Sequence, residues 1–317
     1  MGLNTDHLRF VLLARASGVR FERSLMIGRQ ELIVDVSTLR RILAAGGIQT
    51  TEEEVGRLLE EGDGFADPLL RLLGALQIDS MDISPYEGAT IEHDLNEPIP
   101  PSLRNRYSVV IDSGSLEHVF NISQALRNCL EMVEDGGHFI SIGPANNAMG
   151  HGFYQFSPEL YFRTLSARNG FRIERIVAKE MYADAPWYAV ADPAAVGRRA
   201  EWQSLGEMHL MVCAHKERTA QIFHAVPQQS DYIPPWTTDP GATDSVGASS
   251  PVHHHIDRQS TLRSTRSLQR LLWRPVPLRA KTVYRRLKRL SGVITRALSQ
   301  PDPTCFSRIK VPQLTDD

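Results

Sequence analysis

The sequence predicts an α/β fold, a doubly wound, mostly parallel sheet with an antiparallel hairpin at its C-terminal edge. Three observations predict it. Strand-like apolar runs alternate with helical patterns from Ser24 to Arg168, the order that builds parallel sheets through helical crossovers. Tyr107–Asp112 (YSVVID) is an aromatic and β-branched run closing on an acid, the clearest strand of the chain. The last two strand candidates, Arg172–Ala178 and Met208–Ala214, have no full helix between them, which suits an antiparallel pair.

Taken in order, Thr5 to Ala16 has helical spacing at Leu8, Val11, Leu12 and Arg15, with Thr5 or Asp6 to cap it and Gly18 to end it. Ser24–Gly28 is a short buried strand. Ser37–Ala45, Thr51–Glu61 and Asp67–Ala75 read as helices punctuated by Gly46-Gly47 and Gly62-Asp63-Gly64. Thr51 followed by Glu54 has capping-box spacing. Leu76–Asp82 and Thr90–His93 are strands, and Ser123–Val133 is a helix closed by Asp135-Gly136-Gly137. His138–Ile142 is another strand. Ser157-Pro158-Glu159 opens a helix with a cap, a proline at the first position and an acid in the first turn; it runs to Arg168, where Asn169-Gly170 stops it.

The 317 residues are 42% hydrophobic and 23% charged, a balance for one large domain with appendages. Three cysteines are scattered without a CxxC pair, which excludes a disulfide framework and a structural zinc and fits a cytoplasmic chain. No apolar run approaches the roughly 18–20 residues of a membrane span, and Asp6, His7 and Arg9 interrupt the place of a signal peptide. The net charge of −2 hides an asymmetry. Arg258 to Lys310 carries 14 Lys/Arg against one acid, Asp302, leaving 21 basic and 36 acidic residues elsewhere. Residues 1–19 are read as an N-terminal helix, 20–227 as the main domain, 228–265 as a flexible linker and 266–317 as a basic amphipathic helical tail.

Two adjacent blocks carry a family likeness. Tyr107-Ser-Val-Val-Ile-Asp-Ser-Gly-Ser-Leu-Glu117-His118-Val is followed, at the right distance, by Ala125 to Ile140 with its Gly136-Gly137 turn. Together they resemble the fourth strand, following helix and fifth strand of class I S-adenosylmethionine (SAM)-dependent methyltransferases. The likeness covers roughly 190 residues and implies a Rossmann-like, seven-stranded sheet that binds SAM beyond the carboxyl ends of its strands. Asp82 is then the second-strand acid for the ribose hydroxyls, with Asp79 the competitor if the strand ends earlier. Asp94 and Leu95 match the adenine side, and Asp112 the methionine side. Turn acids are common in any case.

The first motif departs from the family's acid-x-Gly-x-Gly-x-Gly. After Leu25-Met26-Ile27 come Gly28-Arg29-Gln30-Glu31-Leu32, so only Gly28 matches. Either Arg29 and Gln30 contact the cofactor in a variant site, or SAM binding has been lost. The helical insertion Ser37–Ala75 is a second departure.

Methyl transfer needs a positioned nucleophile and at most a proton acceptor. His118 and Glu117 follow the fourth strand as catalytic candidates, His118 as general base or as a capping residue. Pro144–Phe156 is an acceptor loop or lid, with His151 and Tyr154 its polar members. No metal site is expected, and His253-His254-His255 lacks carboxylate or cysteine company. The expected acceptor is a small molecule or glycan precursor; no nucleic acid is expected. The basic tail suits an anionic membrane surface or this chain's own acidic domain. A non-catalytic methyltransferase-like binding protein is the alternative. A nicotinamide dehydrogenase is disfavoured by the missing GxGxxG turn.

Overall fold

The computed structural model describes residues 2–182, 184–232 and 301–311. The main unit opens with β1 (Gly2–Asn4) and α1 (Thr5–Ala16), then β2 (Arg23–Ile27), β3 (Glu31–Ile33), α2 (Val36–Ala45), α3 (Glu52–Glu61) and α4 (Asp67–Leu72). It continues with β4 (Gln77–Asp82), β5 (Ile91–Glu92), β6 (Tyr107–Ser113), α5 (Ile122–Met132), β7 (Val133–Asn146), α6 (Pro158–Thr164) and β8 (Phe171–Glu180). It closes with β9 (Trp187–Val190), α7 (Pro193–Val196), β10 (Met208–Lys216) and β11 (Phe306–Ile309).

Nine strands form one sheet in the order β11-β9-β8-β10-β7-β6-β2-β4-β5. β7, β6, β2, β4 and β5 are parallel neighbours. β10 is inserted antiparallel to both β7 and β8. The doubly wound α/β reading holds, with two corrections. The sheet has nine strands rather than seven, because β9 and β11 extend it past β8 through antiparallel pairs. The β8–β10 pair is therefore interior, not an edge hairpin. β11 also corrects the boundary of the 266–317 tail, since Phe306–Ile309 pairs with Trp187–Val190. Residues 233–300 and 312–317, which hold most of the linker and of the basic amphipathic segment, lie outside the described residues. No described helix is long and apolar enough to cross a membrane.

Alternation along the strands divides the core between two faces. Leu25, Ile27, Val110, Phe139, Leu210 and Val212 pack with α5 and α6. Met26, Val109, Ile111, Ile140, Met211 and Cys213 pack with α1 to α4. The helical insertion is thus one whole cover of the sheet. Residues 1–19 are part of it, because Leu8, Phe10 and Val11 are buried in the same cluster. Local signals are mostly in place. Thr51 and Glu54 form the capping box of α3, and Ser157 caps α6 at the Leu160 amide. The cap of α1 is Asn4 rather than Thr5 or Asp6, its Oδ1 accepting the Asp6 and His7 amides. α6 stops at Thr164, short of Arg168, and a single turn at Ala167–Asn169 follows.

Candidate functional site

The strand order reverses beside β2: the chain leaves it toward β4 and β5 on one side and returns toward β6 and β7 on the other. Ligands of open α/β sheets bind beyond the carboxyl ends at such a switch point. Here that region is bounded by Gly28 after β2, Asp82 at the end of β4, Ser113 at the end of β6 and the loop after β7.

The turn after β2 is held by side chains. Gly28 has φ +68°, and its amide donates to the Met81 carbonyl at 2.8 Å. Arg29 pairs with Asp67 at 3.1 Å, donates to the Glu87 carbonyl at 3.0 Å and lies 4.3 Å over the Phe65 ring. Gln30 is fully buried and its Nε2 donates back to the Ile27 carbonyl at 2.7 Å. The chain then enters β3, which pairs in parallel with β1, and the Ala66 amide at the start of α4 donates to the Gln30 carbonyl at 2.8 Å. Arg29 and the Gln30 amide nitrogen therefore differ from the cofactor contacts the sequence suggests, being engaged by the insertion and by the turn itself, while Gln30 Oε1 is buried without a hydrogen-bond partner among the described residues.

Among the acids, Asp82 closes β4, and its carboxylate accepts only the Ile83 amide, at 2.7 Å, among the described residues. Asp79 is mid-strand and occupied by the Tyr107 hydroxyl at 2.9 Å and Gln77 at 2.7 Å, which leaves Asp82 as the strand-end acid. Asp94 is folded into a turn, accepting the Asn96 amide and side chain, and these bonds hold its pKa below the ordinary value. Leu95 is a core residue. Asp112 is fully buried and accepts the Ser115 and Leu116 amides and the Ser141 hydroxyl, at 3.0, 3.2 and 2.9 Å. Its work is to hold the turn that carries Glu117, rather than to meet a ligand.

That turn, Leu116–His118, brings together three residues the sequence singles out. Glu117 is 1% exposed, and neither carboxylate oxygen accepts a hydrogen bond from the described residues. His151 Nε2 approaches Glu117 Oε1 at 3.3 Å, and the His118 and His151 rings meet edge-on with centroids 4.9 Å apart. The loop after β7 is fastened to this turn through its backbone. The Phe153 and Tyr154 amides donate to the Glu117 carbonyl at 2.7 and 3.2 Å. The Tyr154 hydroxyl donates to the Phe120 carbonyl at 2.6 Å, so it ties the loop down rather than pointing to solvent. Phe120 and Phe153 form an exposed edge-on pair beside the cluster, ring centroids 5.7 Å apart.

Burial pushes both Asp112 and Glu117 up to about 7. Three donors favour the Asp112 anion, and no hydrogen bond among the described residues favours that of Glu117. Burial, then the neighbouring His151, holds His118 below its ordinary value, leaving a neutral imidazole with a lone pair.

A second cluster escapes the sequence. His7 Nε2 lies 3.2 Å from His209 Nδ1, and His209 Nε2 lies 3.0 Å from Glu207. His7 Nδ1 also lies 3.3 Å from the Ser113 hydroxyl, which donates to the Gly2 carbonyl. The N-terminal segment therefore crosses the carboxyl end of β6. Lys179, 1% exposed, pairs with Asp6 at 2.8 Å. No spacing rule links residues this far apart. A cavity of about 520 Å3 lined by Glu159, Arg163, Pro193 and Arg199 includes none of the predicted site residues.

No family model matches the chain, and no curated protein matches it. Solved structures do. The N-methyltransferase NodS from Bradyrhizobium japonicum, in complex with S-adenosyl-L-homocysteine, is 14% identical over 67% of this chain and 86% of its own, with a TM-score of 0.35. The YcgJ protein from Bacillus subtilis is 10% identical over 67% and 99%, TM-score 0.36. The branched-chain polyamine synthase from Thermus thermophilus is 12% identical over 69% of this chain and 57% of its own, TM-score 0.36.

Proposed function

We propose that the chain is a SAM-dependent methyltransferase that acts on a small-molecule or glycan-precursor acceptor. One observation carries the reading: the strand-end carboxylate of Asp82, with one oxygen unpartnered among the described residues, and the Glu117–His118–His151 cluster lie at carboxyl ends of strands on the two sides of the switch point. The residues fit the ribose end of the cofactor. Asp82 has a carboxylate oxygen without a partner among the described residues, and Gly28 puts no side chain in the way. When bound, SAM supplies an electrophilic methyl group on a sulfonium. The chain's own share is to hold the ribose hydroxyls at Asp82 and to receive the acceptor beside the exposed Phe120–Phe153 pair. The neutral His118 imidazole takes the acceptor proton as it leaves. Methyl transfer is an in-line displacement, so positioning supplies most of the rate.

A second reading, a methyltransferase-like chain that binds without catalysing, is favoured by the internal engagement of Arg29 and Gln30. Calorimetric titration of SAM and S-adenosylhomocysteine separates the two. Micromolar binding that Asp82→Ala abolishes, with turnover of an acceptor, is the expected result. No binding at millimolar ligand sinks the enzyme reading.

A further inference from the structure

Glu117 poses a chemical problem that methyl transfer alone leaves open. A buried carboxylate normally accepts two or more hydrogen bonds, and one with none is costly unless a proton or a cation compensates it. Both Glu117 oxygens are buried and lack a hydrogen-bond donor among the described residues. His151 Nε2 lies 3.3 Å from its Oε1. One ligand atom each from Glu117, His118 and His151 lie within 4.8 Å of one another, the carboxylate buried and the two imidazoles exposed. A cation could enter from the histidine side without unfolding anything.

The scaffold fixes this arrangement before any ligand arrives. Asp112 clamps the Ser115 and Leu116 amides immediately before Glu117. The Phe153 and Tyr154 amides grip the Glu117 carbonyl and so seat His151, two residues earlier, against its carboxylate. Gly152 makes the fit possible: φ is +68°, and a Cβ there would lie 2.7 Å from the Glu117 carbonyl oxygen. These bonds hold the backbone of both loops, so the three side chains are positioned before a ligand arrives.

We propose that Glu117, His118 and His151 bind a divalent transition-metal cation, of the zinc, cobalt or manganese class, with coordination positions left for water or an acceptor oxygen; with the cation bound, His118 is a ligand and no longer the proton acceptor. Two imidazole nitrogens and one carboxylate oxygen suit these borderline ions. Magnesium and calcium prefer all-oxygen shells. The sequence predicts no metal because the three residues are split between two loops and match no ligand spacing rule. The cation would lower the pKa of an acceptor hydroxyl so that it loses its proton near neutrality. That role rests on the methyl-transfer reading; the binding of the cation does not.

The test uses the full chain with His253, His254 and His255 replaced by alanine, since consecutive histidines bind transition metals unaided. After chelator treatment, the protein is titrated with cobalt(II), read by visible d–d absorption, and with zinc and magnesium chloride by calorimetry. The expected result is one equivalent of zinc or cobalt and none of magnesium. Glu117→Gln and His151→Ala should each weaken binding by more than the roughly 10–100-fold that loss of an outer-shell partner costs. His224→Ala should leave it unchanged. Absence of zinc and cobalt binding by the parent at millimolar metal overturns the site. So does binding that survives Glu117→Gln and His151→Ala undiminished. Metal binding without SAM binding keeps the site and sinks the methyl-transfer reading; SAM binding without metal does the reverse.

Discussion

Replacing Gly152 by alanine loads the contact that joins the two site loops. Two costs can be read from the geometry. An L-residue at φ +68° sits in the left-handed region, at about 1–2 kcal/mol. The new Cβ would lie 2.7 Å from the Glu117 oxygen and 3.0 Å from its Cγ, so backbone must shift, at about 1–3 kcal/mol. Together these reach about 2–5 kcal/mol. The Phe153 and Tyr154 bonds that hold the loop down contribute only about 0.5–1.5 kcal/mol each. The loop should therefore let go while the sheet stays folded, and the global loss is capped at about what loop docking supplies, roughly 1–3 kcal/mol. Amide hydrogen exchange reads this directly. The Phe153 and Tyr154 amides should exchange about tenfold faster or more, while Val109, Val110 and Ile111 in β6 keep their protection. Native protection at Phe153 and Tyr154 together with an unchanged Tm would refute the reasoning.

Three further outcomes follow from particular contacts. Lys216→Met removes the buried ammonium that donates to the Leu130 and Val133 carbonyls and to Asn105 Oδ1, which keeps the Thr219 hydroxyl, and should cost about 2–4 kcal/mol in urea unfolding; a loss under about 1 kcal/mol would mean those acceptors find other donors. His7 is held neutral, its pKa lowered to about 3 by burial and then by His209, whereas the unfolded histidine titrates near 6.5. The unfolded chain thus binds the extra proton between these values. Stability should rise with pH from about 3 to 6.5, with a limiting slope of about 1.4 kcal/mol per unit. His7→Gln should remove that part of the slope, and parallel pH profiles for the two proteins would refute it. Arg29→Ala should lower stability by about 1 kcal/mol, since its partners are Asp67, Glu87 and Phe65, and leave S-adenosylhomocysteine affinity within about fivefold. A hundredfold loss in calorimetry would put Arg29 on the ligand.

Local pattern made much of this protein legible. The β-branched run of β6, the capping box of α3 and the Ser-Pro-Glu start of α6 all act within a few residues, so the sequence alone determined them. It also delivered the alternation that makes a parallel α/β sheet, and it placed Glu117, His118 and His151 at the carboxyl end. Long-range pairing was hidden. β11 forms only because Phe306–Ile309 meets Trp187–Val190, and β3 only because Glu31–Ile33 meets the N-terminal Gly2–Asn4. Short strands like these have little local preference and take their order from a partner's hydrogen bonds. The same reason governs the site. Arg29 looks like a ligand contact until Asp67 and Phe65 are seen to hold it, and Asp112 looks like a cofactor acid until its three donors are counted. Glu117 shows the converse: residue type and position marked it, but only burial without a donor gave it a chemical task, because the cost of an unpartnered charge exists only once tertiary packing removes the water.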